Sequence, residues 1–325
     1  MPSSALLIAA AVPLALVIDR WLGEPPSRLH PVVWIGSYLN LTGGWFAPRR
    51  SAQQPDWKRF WLGAMLWLAG ASVMVGCAVL LQQWALQLHP LAALLLLGAA
   101  LKPLLAWRML RQEVLAVEAA LTLSLAQGRA QLARLVSRDV QHLSETEVRE
   151  SAIESLAENL NDSVVAPLLW FALLGLPGAV LYRFANTADA MWGYSGMYQG
   201  RDWTWAGKWA ARADDVLSWL PARLTAWLLI TVGGTAARSV RRRLSDEASR
   251  TVSPNSGWPM AAMALLLGVR LSKPSVYVLN AMGGAPQPCD PARAVLLARK
   301  AVGAAAAGAC VVSIALRAWP WQALQ

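Results

Sequence analysis

The sequence predicts an all-α, polytopic integral membrane protein with about 4–6 membrane-embedded helices, some of them re-entrant, and with cytoplasmic amphipathic helices beside them. The composition is the first reason: 56% of the 325 residues are hydrophobic, only 15% are charged, and 18 are tryptophans. The second reason is the stretch 60–81, which contains no charged side chain. At about 1.5 Å rise per residue, it can cross a hydrocarbon core of about 30 Å. We therefore treat residues 1–325 as a single integral membrane domain.

Four weaker apolar segments are also expected to be embedded: 1–18, 89–107, 217–236 and 301–316. Lys102 and Pro103 interrupt the second of these, and Arg223 lies in the first turns of the third. Segment 1–18 lacks a basic start and a small-residue cleavage pattern, so it is interpreted as a first span and not as a signal peptide.

Basic residues predict the orientation. They are frequent in 19–59 and again after residue 107, whereas 82–90 contains neither Lys nor Arg. Since cytoplasmic loops collect Lys and Arg, both flanks of this hairpin are predicted to be cytoplasmic, including a helical segment at 108–163. The later basic stretches do not alternate between the two sides of the membrane as this rule requires. Either 164–182 dips into the membrane and returns, or one basic loop violates the rule. The dip is favoured, because irregular backbone at membrane depth is tolerated where it lines a protein cavity.

The net charge of +10 also has to be explained. The basic residues are spread over juxtamembrane loops, so the lipid bilayer, through its anionic headgroups, is the expected partner, and no nucleic acid is. A group of tryptophans predicts an interfacial belt, with stacking on a flat ligand as the alternative. These are Trp192, Trp203, Trp205 and Trp209. His30 and His89 each precede a proline, which favours turn-forming roles over metal ligation.

An acidic ladder is the most informative local feature. Glu150, Glu154, Glu158 and Asp162 recur every fourth residue and lead into the uncharged stretch 164–182. This spacing keeps side chains on one helical face, where like charges cost about 0.2–0.5 kcal/mol per pair. A metal ion, a phosphate-bound cation or arginines could neutralise the ladder, which predicts a functional site. A solvated acidic helix face is the alternative.

Other polar patches accompany the ladder. Residues 19–40 are punctuated by glycine and prolines, which favours a rigid turn. A capping-box pattern at Ser144 and Glu147 predicts the start of the ladder helix. Stretch 253–259 is either a helix-to-helix turn or a loop in which Asn255 fixes a ligand. One further patch alternates acidic and basic groups, as a functional site or a structural salt-bridge network would. It contains Asn186, Thr187, Asp189, Arg212, Asp214, Asp215 and Arg223.

These motifs resemble those of the CobD/CbiB proteins of cobalamin biosynthesis over nearly the whole chain. Residues 151–194, which begin SAIESLAENLNDSVVAPL, are similar to the family's most recognisable block. The strings DDVLSWLPARLTA at 214–226 and SPNSGWPMAAMALLLGVRL at 253–271 resemble its second and third, and DRWLGEPPSRLHPVVWIG resembles its opening. The departures from the pattern are Glu24 in place of aspartate, Ser163 and Lys273 in place of glycine, and Ser218 in place of asparagine. Glu150 is not carried over, since the family varies there.

The resemblance implies an ATP-dependent amide ligase that joins (R)-1-aminopropan-2-ol, or its O-phosphate, to the free propionate of adenosylcobyric acid. Mg²⁺ would be the cofactor and ATP a co-substrate. The expected metal ligands are Glu154, Glu158, Asp162 and Asp189, which supply the oxygen atoms that Mg²⁺ prefers. The expected catalytic residues are Asp214 or Asp215 as the base, with Arg212 and Arg223 as anion clamps. The expected substrate-binding residues are Arg138, Asn159, Asn186 and Asn255. The sequence contains no phosphate-binding glycine loop of the Gly-x-x-x-x-Gly-Lys-Ser/Thr type, so the nucleotide site is inferred from the reaction.

Because ATP is cytoplasmic, the active site is expected to face the cytoplasm from a bacterial inner membrane. Its partners would be the corrinoid and the aminopropanol (phosphate), together with other pathway enzymes or further copies of the chain. The alternative is a membrane transporter or a non-catalytic corrinoid-binding scaffold subunit. Transport sites also use acidic residues near broken apolar segments, but they place some of those charges in the middle of spans. Here the charges are expected in the connecting stretches, at the ends of the spans.

Overall fold

The computed structural model describes residues 4–51, 54–234 and 237–318. Its α-helices in chain order are α1 (Ser4–Leu22), α2 (Pro31–Phe46), α3 (Trp57–Gln87), α4 (Pro90–Leu101), α5 (Trp107–Leu121), α6 (Leu125–Leu132), α7 (Glu145–Leu160), α8 (Ala166–Leu174), α9 (Leu176–Trp192), α10 (Lys208–Val232), α11 (Ala237–Ala248), α12 (Gly257–Leu267) and α13 (Asp290–Ala318). A π-helical turn, Asn161–Val165, joins α7 to α8. Two short antiparallel hairpins complete the described fold: β1 (Met197–Tyr198) with β2 (Arg201–Asp202), and β3 (Leu271–Lys273) with β4 (Tyr277–Leu279).

Five segments of the described residues are long and apolar enough to cross a membrane: Ser4–Leu22, Trp57–Gln87, Pro90–Leu121, Lys208–Val232 and Asp290–Arg317. Each overlaps one of the predicted apolar segments, so the all-α polytopic membrane architecture is confirmed. Residues 1–3 of the predicted segment 1–18 and residues 235–236 of the predicted segment 217–236 lie outside the described residues.

Local sequence signals account for the helix starts. His30 and His89 are N-caps that accept a hydrogen bond through Nδ1, from the backbone N–H of Val32 (3.3 Å) and of Leu91 (3.4 Å). A proline follows each cap, where its missing N–H and fixed φ suit the first turn. The turn-forming role predicted for these histidines is therefore confirmed.

The described chain folds into two compact units. The first unit comprises the residues up to 105, 166–218 and the residues from 308 onward, and the second comprises 106–165 and 219–307. Segment 108–163, predicted to be helical, lies within the second unit. It forms α5, α6, α7 and most of the π-turn, with irregular connections at 122–124 and 133–144. Its cytoplasmic location stays a prediction.

A mixed aromatic and aliphatic core stabilises the first unit. Trp192 and Trp203 are 1% and 7% exposed and their rings stack with centroids 6.2 Å apart. The Trp192 indole N–H donates to the carbonyl of Leu39 at 3.1 Å, so even its polar atom is satisfied inside the unit. The interfacial-belt prediction is therefore wrong for these two residues, because they pack in a hydrophobic core against α2, α3 and α9.

The Gly-Leu-Pro-Gly stretch in the first unit separates α8 from α9. Gly175 has φ +74°, which a residue with a side chain rarely adopts, and a Cβ there would lie 2.3 Å from Oε1 of Gln82. The same oxygen accepts the N–H of Leu176 at 2.7 Å. The two helices pack against each other on either side of this break. The predicted dip of 164–182 into the membrane stays a prediction.

Candidate functional site

The acidic ladder lies on α7 and its π-helical end, in the second unit. Ser144 caps α7: its Oγ accepts the N–H of Glu147, and the Glu147 carboxylate accepts the N–H of Ser144 at 2.7 Å. The predicted capping box is thus confirmed. The first two carboxylates of the ladder are buried, with Glu150 0% and Glu154 5% exposed. A buried carboxylate needs hydrogen-bonding partners, and these partners identify the site.

Glu150 is paired with the β3 segment. The Arg270 guanidinium donates to Oε1 of Glu150 at 3.2 Å, and the Ser272 hydroxyl donates to Oε2. Both carboxylate oxygens of Glu150 are therefore engaged by the protein. Contacts within the protein therefore hold this part of the ladder in place.

Glu154 is held from two sides. Nη2 of Arg138 donates to Oε2 of Glu154 at 2.7 Å and to Oγ of Ser151 at 2.7 Å, while the Tyr277 hydroxyl donates to Oε1. Burial raises the pKa of Glu154, and Tyr277 and Arg138 oppose that rise. Burial and the neighbouring Glu154 charge raise the pKa of Tyr277, so its hydroxyl stays a proton donor at neutral pH. Arg138, predicted to bind substrate, thus contacts the ladder directly.

The β3–β4 hairpin brings these partners to the ladder. Lys273 pairs with Tyr277 across the hairpin. The hairpin is anchored by Asn280, whose side-chain amide donates to the carbonyls of Ala264 (3.3 Å) and Val269 (2.9 Å). Asn280 has φ +48°, a left-handed conformation that asparagine tolerates better than most residues. The fixed anchor explains how one short hairpin engages two successive carboxylates of the ladder.

Glu158 and Asp162, at the other end of the ladder, differ from the buried pair. Both are partly exposed. Burial, together with the negative charges of Asp162 and Glu154, raises the pKa of Glu158 to about 8, although Lys273 and Arg138 oppose the rise. The carboxyl groups of Glu158, Asp162 and Glu154 therefore interact electrostatically at this end of the ladder, and a proton on Glu158 is favoured.

The π-turn Asn161–Val165 lies at this end of the ladder. The Asn161 amide donates to Oδ1 of Asp162 at 2.8 Å, and its oxygen accepts the Thr225 hydroxyl at 3.0 Å. The carbonyl of Ser163 accepts the backbone N–H of Ala106 at 3.1 Å, which satisfies an acceptor outside the helix. Single π-turns within α-helices occur frequently at functional sites. The π-turn therefore supports the interpretation of this end of α7 as a functional site.

The carboxylates present fit a magnesium ion that arrives with a substrate phosphate. In neither unit do three or more His, Cys, Asp or Glu side chains of the described residues form a group that could hold a metal ion by themselves. Mg²⁺, however, is usually held by one or two carboxylates together with substrate phosphates and water. Glu158 and Asp162 are two carboxyl residues of this kind, four residues apart and partly exposed, whereas both oxygens of Glu154 accept hydrogen bonds from Arg138 and Tyr277.

The other predicted residues of the second unit have well-defined contacts. The Asn159 amide donates to the carbonyl of Ser155 at 3.0 Å, one turn earlier. Arg223 donates to Oδ1 of Asn255 at 3.0 Å, so two residues predicted to have separate roles are direct partners. Asn255 is 4% exposed, at the start of the turn that leads into α12.

The remaining predicted residues belong to the first unit. Asn186 and Asp189 lie on α9, and Arg212, Asp214 and Asp215 lie on the part of α10 that precedes Trp219. Both helices contribute to one hydrophobic core, so these side chains project from packed elements.

Two of these first-unit residues have informative partners. Oδ2 of Asp214 accepts the Ser218 hydroxyl at 3.4 Å, and Ser218 lies 3.2 Å from the hydroxyl of the fully buried Tyr182. Nη1 of Arg183 donates to Oδ1 of Asn186 at 3.3 Å.

Residues 19–40 of the first unit form more than a turn. The ammonium of Lys102 lies 3.6 Å from Oδ1 of Asp19 and 2.7 Å from Oε2 of Glu24, and Nε2 of His30 lies 3.2 Å from the same Glu24 oxygen. Asp19 is 0% and Lys102 3% exposed. We call these four residues the Lys102 network. The lysine that interrupts an apolar segment is thus the counter-ion of the conspicuous acidic residues near the amino terminus.

Sequence reasoning did not identify Arg270, Ser272 and Tyr277 as part of the site. The local signal for a hairpin was weak: a proline at 274 in a short polar stretch that separates Lys273 from Tyr277. Nothing local indicated that the hairpin would contact α7, because the paired side chains are 120 or more residues apart.

Comparison with known proteins agrees with these motifs. The family described as CobD/Cbib protein matches residues 12–311. "Probable cobalamin biosynthesis protein CobD" of Methanothermobacter thermautotrophicus is 39% identical over 280 residues, which is 85% of this chain and 86% of that protein. "Cobalamin biosynthesis protein CobD" of Chromobacterium violaceum is 40% identical over 275 residues, which is 83% of each chain. The protein of the same name from Rhodobacter capsulatus is 35% identical over 90% of this chain and 94% of its own length. No solved structure matches the chain. The chain therefore belongs to the CobD/CbiB family and is a protein of cobalamin biosynthesis.

Proposed function

We propose that this protein is an ATP-dependent amide ligase of the bacterial inner membrane. It joins (R)-1-aminopropan-2-ol, or its O-phosphate, to the free propionate of adenosylcobyric acid, and gives adenosylcobinamide or its phosphate. Family membership supports the pathway. The observation that carries the reaction type is the end of the acidic ladder, where the carboxyl groups of Glu158 and Asp162 lie four residues apart beside a π-turn. Such a place suits the metal ion that accompanies a nucleotide.

The chemistry requires activation of the propionate, because a carboxylate does not react with an amine at neutral pH. A propionate oxygen attacks the γ-phosphorus of ATP, the bond to the bridging oxygen of ADP breaks, and an acyl phosphate forms. The amine nitrogen then attacks the acyl carbon, and inorganic phosphate leaves as the amide bond forms. The ammonium form of the amine must first lose a proton to a base.

The second unit supplies the groups for phosphate binding. Glu158 and Asp162 would hold Mg²⁺, and the ion would neutralise charge on the triphosphate. Arg138 is the candidate clamp for phosphate oxygens. Its buried Nε–H has no hydrogen-bond partner among the described residues, although its Nη2 is fully used by Ser151 and Glu154. Asn159 and Asn255 remain candidates for orienting a substrate.

The first unit supplies the candidate base and further polar groups. Asp214 is oriented by its hydrogen bond from Ser218, and Asp215 follows it on α10. Asn186 and Asp189 on α9 and Arg212 on α10 keep their proposed roles in substrate binding, metal ligation and anion binding. We place these groups on the cytoplasmic side, since ATP is found there.

A ligation assay tests the proposal directly. Protein purified in detergent is mixed with adenosylcobyric acid, Mg-ATP and either aminopropanol or its phosphate, and the products are measured by mass spectrometry. An amide mass that requires ATP would establish the ligase and identify the amine. Absence of product with both amines, while the corrinoid still binds, would contradict the ligase and favour a transporter or a non-catalytic scaffold.

Matched variants test the role of the ladder's end. Glu158→Gln and Asp162→Asn keep the size of each side chain but remove its ability to ionise and to bind a cation, and each is expected to lower the ligation rate about 100-fold or more, as loss of a key electrostatic group does. Glu145→Gln, on the exposed first turn of the same helix, is the control and should keep native activity. Full activity in both site variants would exclude the metal-binding role.

A further inference from the structure

Arg223 occupies an unusual position in the second unit. It lies in Lys208–Val232, a segment apolar enough to cross a membrane. Charged residues in such segments are costly, and they usually mark a binding site or a pathway for a charged species. No carboxylate of the described residues lies within ion-pair distance of Arg223: the contacts described for it are to aromatic rings, carbonyls and one amide. Its positive charge is therefore held in place but is not neutralised.

Two indoles and one turn fix the guanidinium. Its Cζ lies 4.4 Å from the centroid of the Trp219 ring and 4.8 Å from that of Trp258, within the range of a cation–π interaction. Nη1 donates to the carbonyl of Trp219 at 2.8 Å and to Oδ1 of Asn255 at 3.0 Å, and Nη2 donates to the carbonyl of Pro254 at 3.4 Å. These contacts restrict both the position and the plane of the guanidinium.

The hydrogen-bond count leaves one edge of Arg223 open. A guanidinium carries five N–H donors. Both donors of Nη1 and one donor of Nη2 are used within the second unit. The two that remain are on Nε and on Nη2, the two nitrogens that border one edge of the guanidinium. That edge is the geometry in which arginine binds two oxygens of a carboxylate or a phosphate.

The turn that holds Arg223 is itself rigid. Oγ of Ser253 accepts the backbone N–H groups of Asn255 (3.2 Å) and Ser256 (3.3 Å). Gly257 follows, where a Cβ would lie 2.1 Å from the carbonyl oxygen of Ala248, so no larger residue fits. Because the turn is already ordered, a ligand at Arg223 would not have to order it, and preorganisation of this kind favours tight binding.

We propose that the open Nε/Nη2 edge of Arg223 is a binding site for a two-oxygen anion, a carboxylate or a phosphate, and that Trp219, Trp258 and Asn255 are positioning residues for it. The choice of ligands to test rests on the proposed function, in which the anion is either a phosphate group of ATP or a carboxylate of the corrinoid. A lipid phosphate is a third source of the same chemistry.

Binding measurements on the full chain separate these sources. The protein is placed in nanodiscs of phosphatidylcholine, and the binding of ATP and of adenosylcobyric acid is measured separately by equilibrium dialysis. Arg223→Lys keeps the charge but loses the planar two-donor edge. It is expected to weaken binding of one ligand roughly tenfold or more and to change the other less than about twofold. Inorganic phosphate should compete with that ligand in the native protein and not in Arg223→Lys.

The control is a second arginine stacked on an indole in the same unit. The Arg241 guanidinium lies 4.6 Å from the Trp227 ring centroid, but it is exposed and lacks the turn. Arg241→Lys should therefore bind both ligands like the native protein. Trp258→Phe keeps an aromatic face and provides a milder variant if Arg223→Lys does not fold; it should weaken the same ligand by a smaller factor.

The outcomes are distinct. Selective loss of ATP or of the corrinoid supports the site and identifies its ligand. If both ligands bind natively but anionic phosphatidylglycerol raises the melting temperature of the native protein more than that of Arg223→Lys, the anion is a lipid phosphate. Unchanged binding of both ligands and an unchanged lipid effect overturn the inference. If no amide is formed in the ligation assay while Arg223-dependent binding persists, the ligase proposal fails and this site stands.

Discussion

Two regions of the protein bury acidic side chains, and they neutralise them differently. In the Lys102 network of the first unit, one buried ammonium lies between two carboxylates, those of Asp19 and Glu24. In the acidic ladder of the second unit, two of the carboxylates are each paired with their own guanidinium: Arg270 pairs with Glu150 and Arg138 with Glu154.

The difference indicates which region is structural and which is functional. In the Lys102 network a buried ammonium lies within ion-pair distance of both carboxylates, as expected of a structural arrangement. At the end of the ladder, burial together with the negative charges of Asp162 and Glu154 raises the pKa of Glu158 to about 8. A strongly shifted pKa of this kind is typical of a functional site.

The largest expected effect comes from removing the shared cation. Lys102→Met removes the ammonium that lies 3.6 Å from the buried Asp19 and 2.7 Å from Glu24, and it should lower the free energy of unfolding by about 3–5 kcal/mol. The melting temperature and the yield of folded protein in detergent measure this loss. Lys208→Met is the control in the same unit, since Lys208 stacks on Trp205 at 4.0 Å and is only partly buried. Similar losses in both variants would show that the Lys102 network is not special.

Removing one hydrogen-bond partner of Glu154 should lower the free energy of unfolding less than removing Lys102. Tyr277→Phe keeps the ring but removes the hydroxyl that donates to Glu154, so it should lower the free energy of unfolding by about 1.5–3 kcal/mol, the range for a hydrogen bond to a charged group. Because Arg138 still holds the other oxygen of Glu154, the loss should stay below that of Lys102→Met. Thermal unfolding measures it, and a native melting temperature would mean that Tyr277 does not anchor the hairpin to α7.

The raised pKa of Glu158 predicts a pH dependence of stability. With its pKa raised to about 8 from 4.5, the folded protein keeps a proton on Glu158 that the unfolded chain has released. The unfolded state therefore binds fewer protons in this window, so this group lowers the free energy of unfolding as the pH rises from about 4.5 to about 8, with no further change above that. Glu158→Gln should flatten this slope. Melting temperatures of both proteins from pH 5 to 9 test it, and parallel curves would contradict the assigned environment of Glu158.

The smallest effect is expected at an exposed ion pair. Nη2 of Arg134 lies 2.8 Å from Oε1 of Glu113, but the arginine side chain is 64% exposed. Arg134→Ala should change the free energy of unfolding by less than about 1 kcal/mol, and less still in high salt. Thermal melts at low and high salt measure it. A larger loss would show that ion pairs in this protein contribute to stability irrespective of burial, and the comparison between the two regions would lose its basis.

The sequence by itself determined the features that depend on neighbouring residues. The apolar segments set the helices that can cross a membrane, Pro31 and Pro90 set two helix starts, and Ser144 with Glu147 set a third. The four-residue spacing of the ladder determined that Glu150, Glu154 and Glu158 share a face of α7. Each of these follows from helix geometry or from capping, which act within a few residues.

Only the tertiary structure decided which acidic residues are compensated. Glu150 and Glu154 look equivalent to Glu158 in the sequence, yet a hairpin 120 or more residues away pairs with the first two. Likewise, Lys102 interrupts an apolar segment of the sequence, and only the packing of α1 against α4 brings it close to Asp19. The interfacial position predicted for Trp192 fails for the same reason, because its burial depends on helices far away in the chain. Burial and long-range pairing are properties of the packed fold, and no local pattern of residues encodes them.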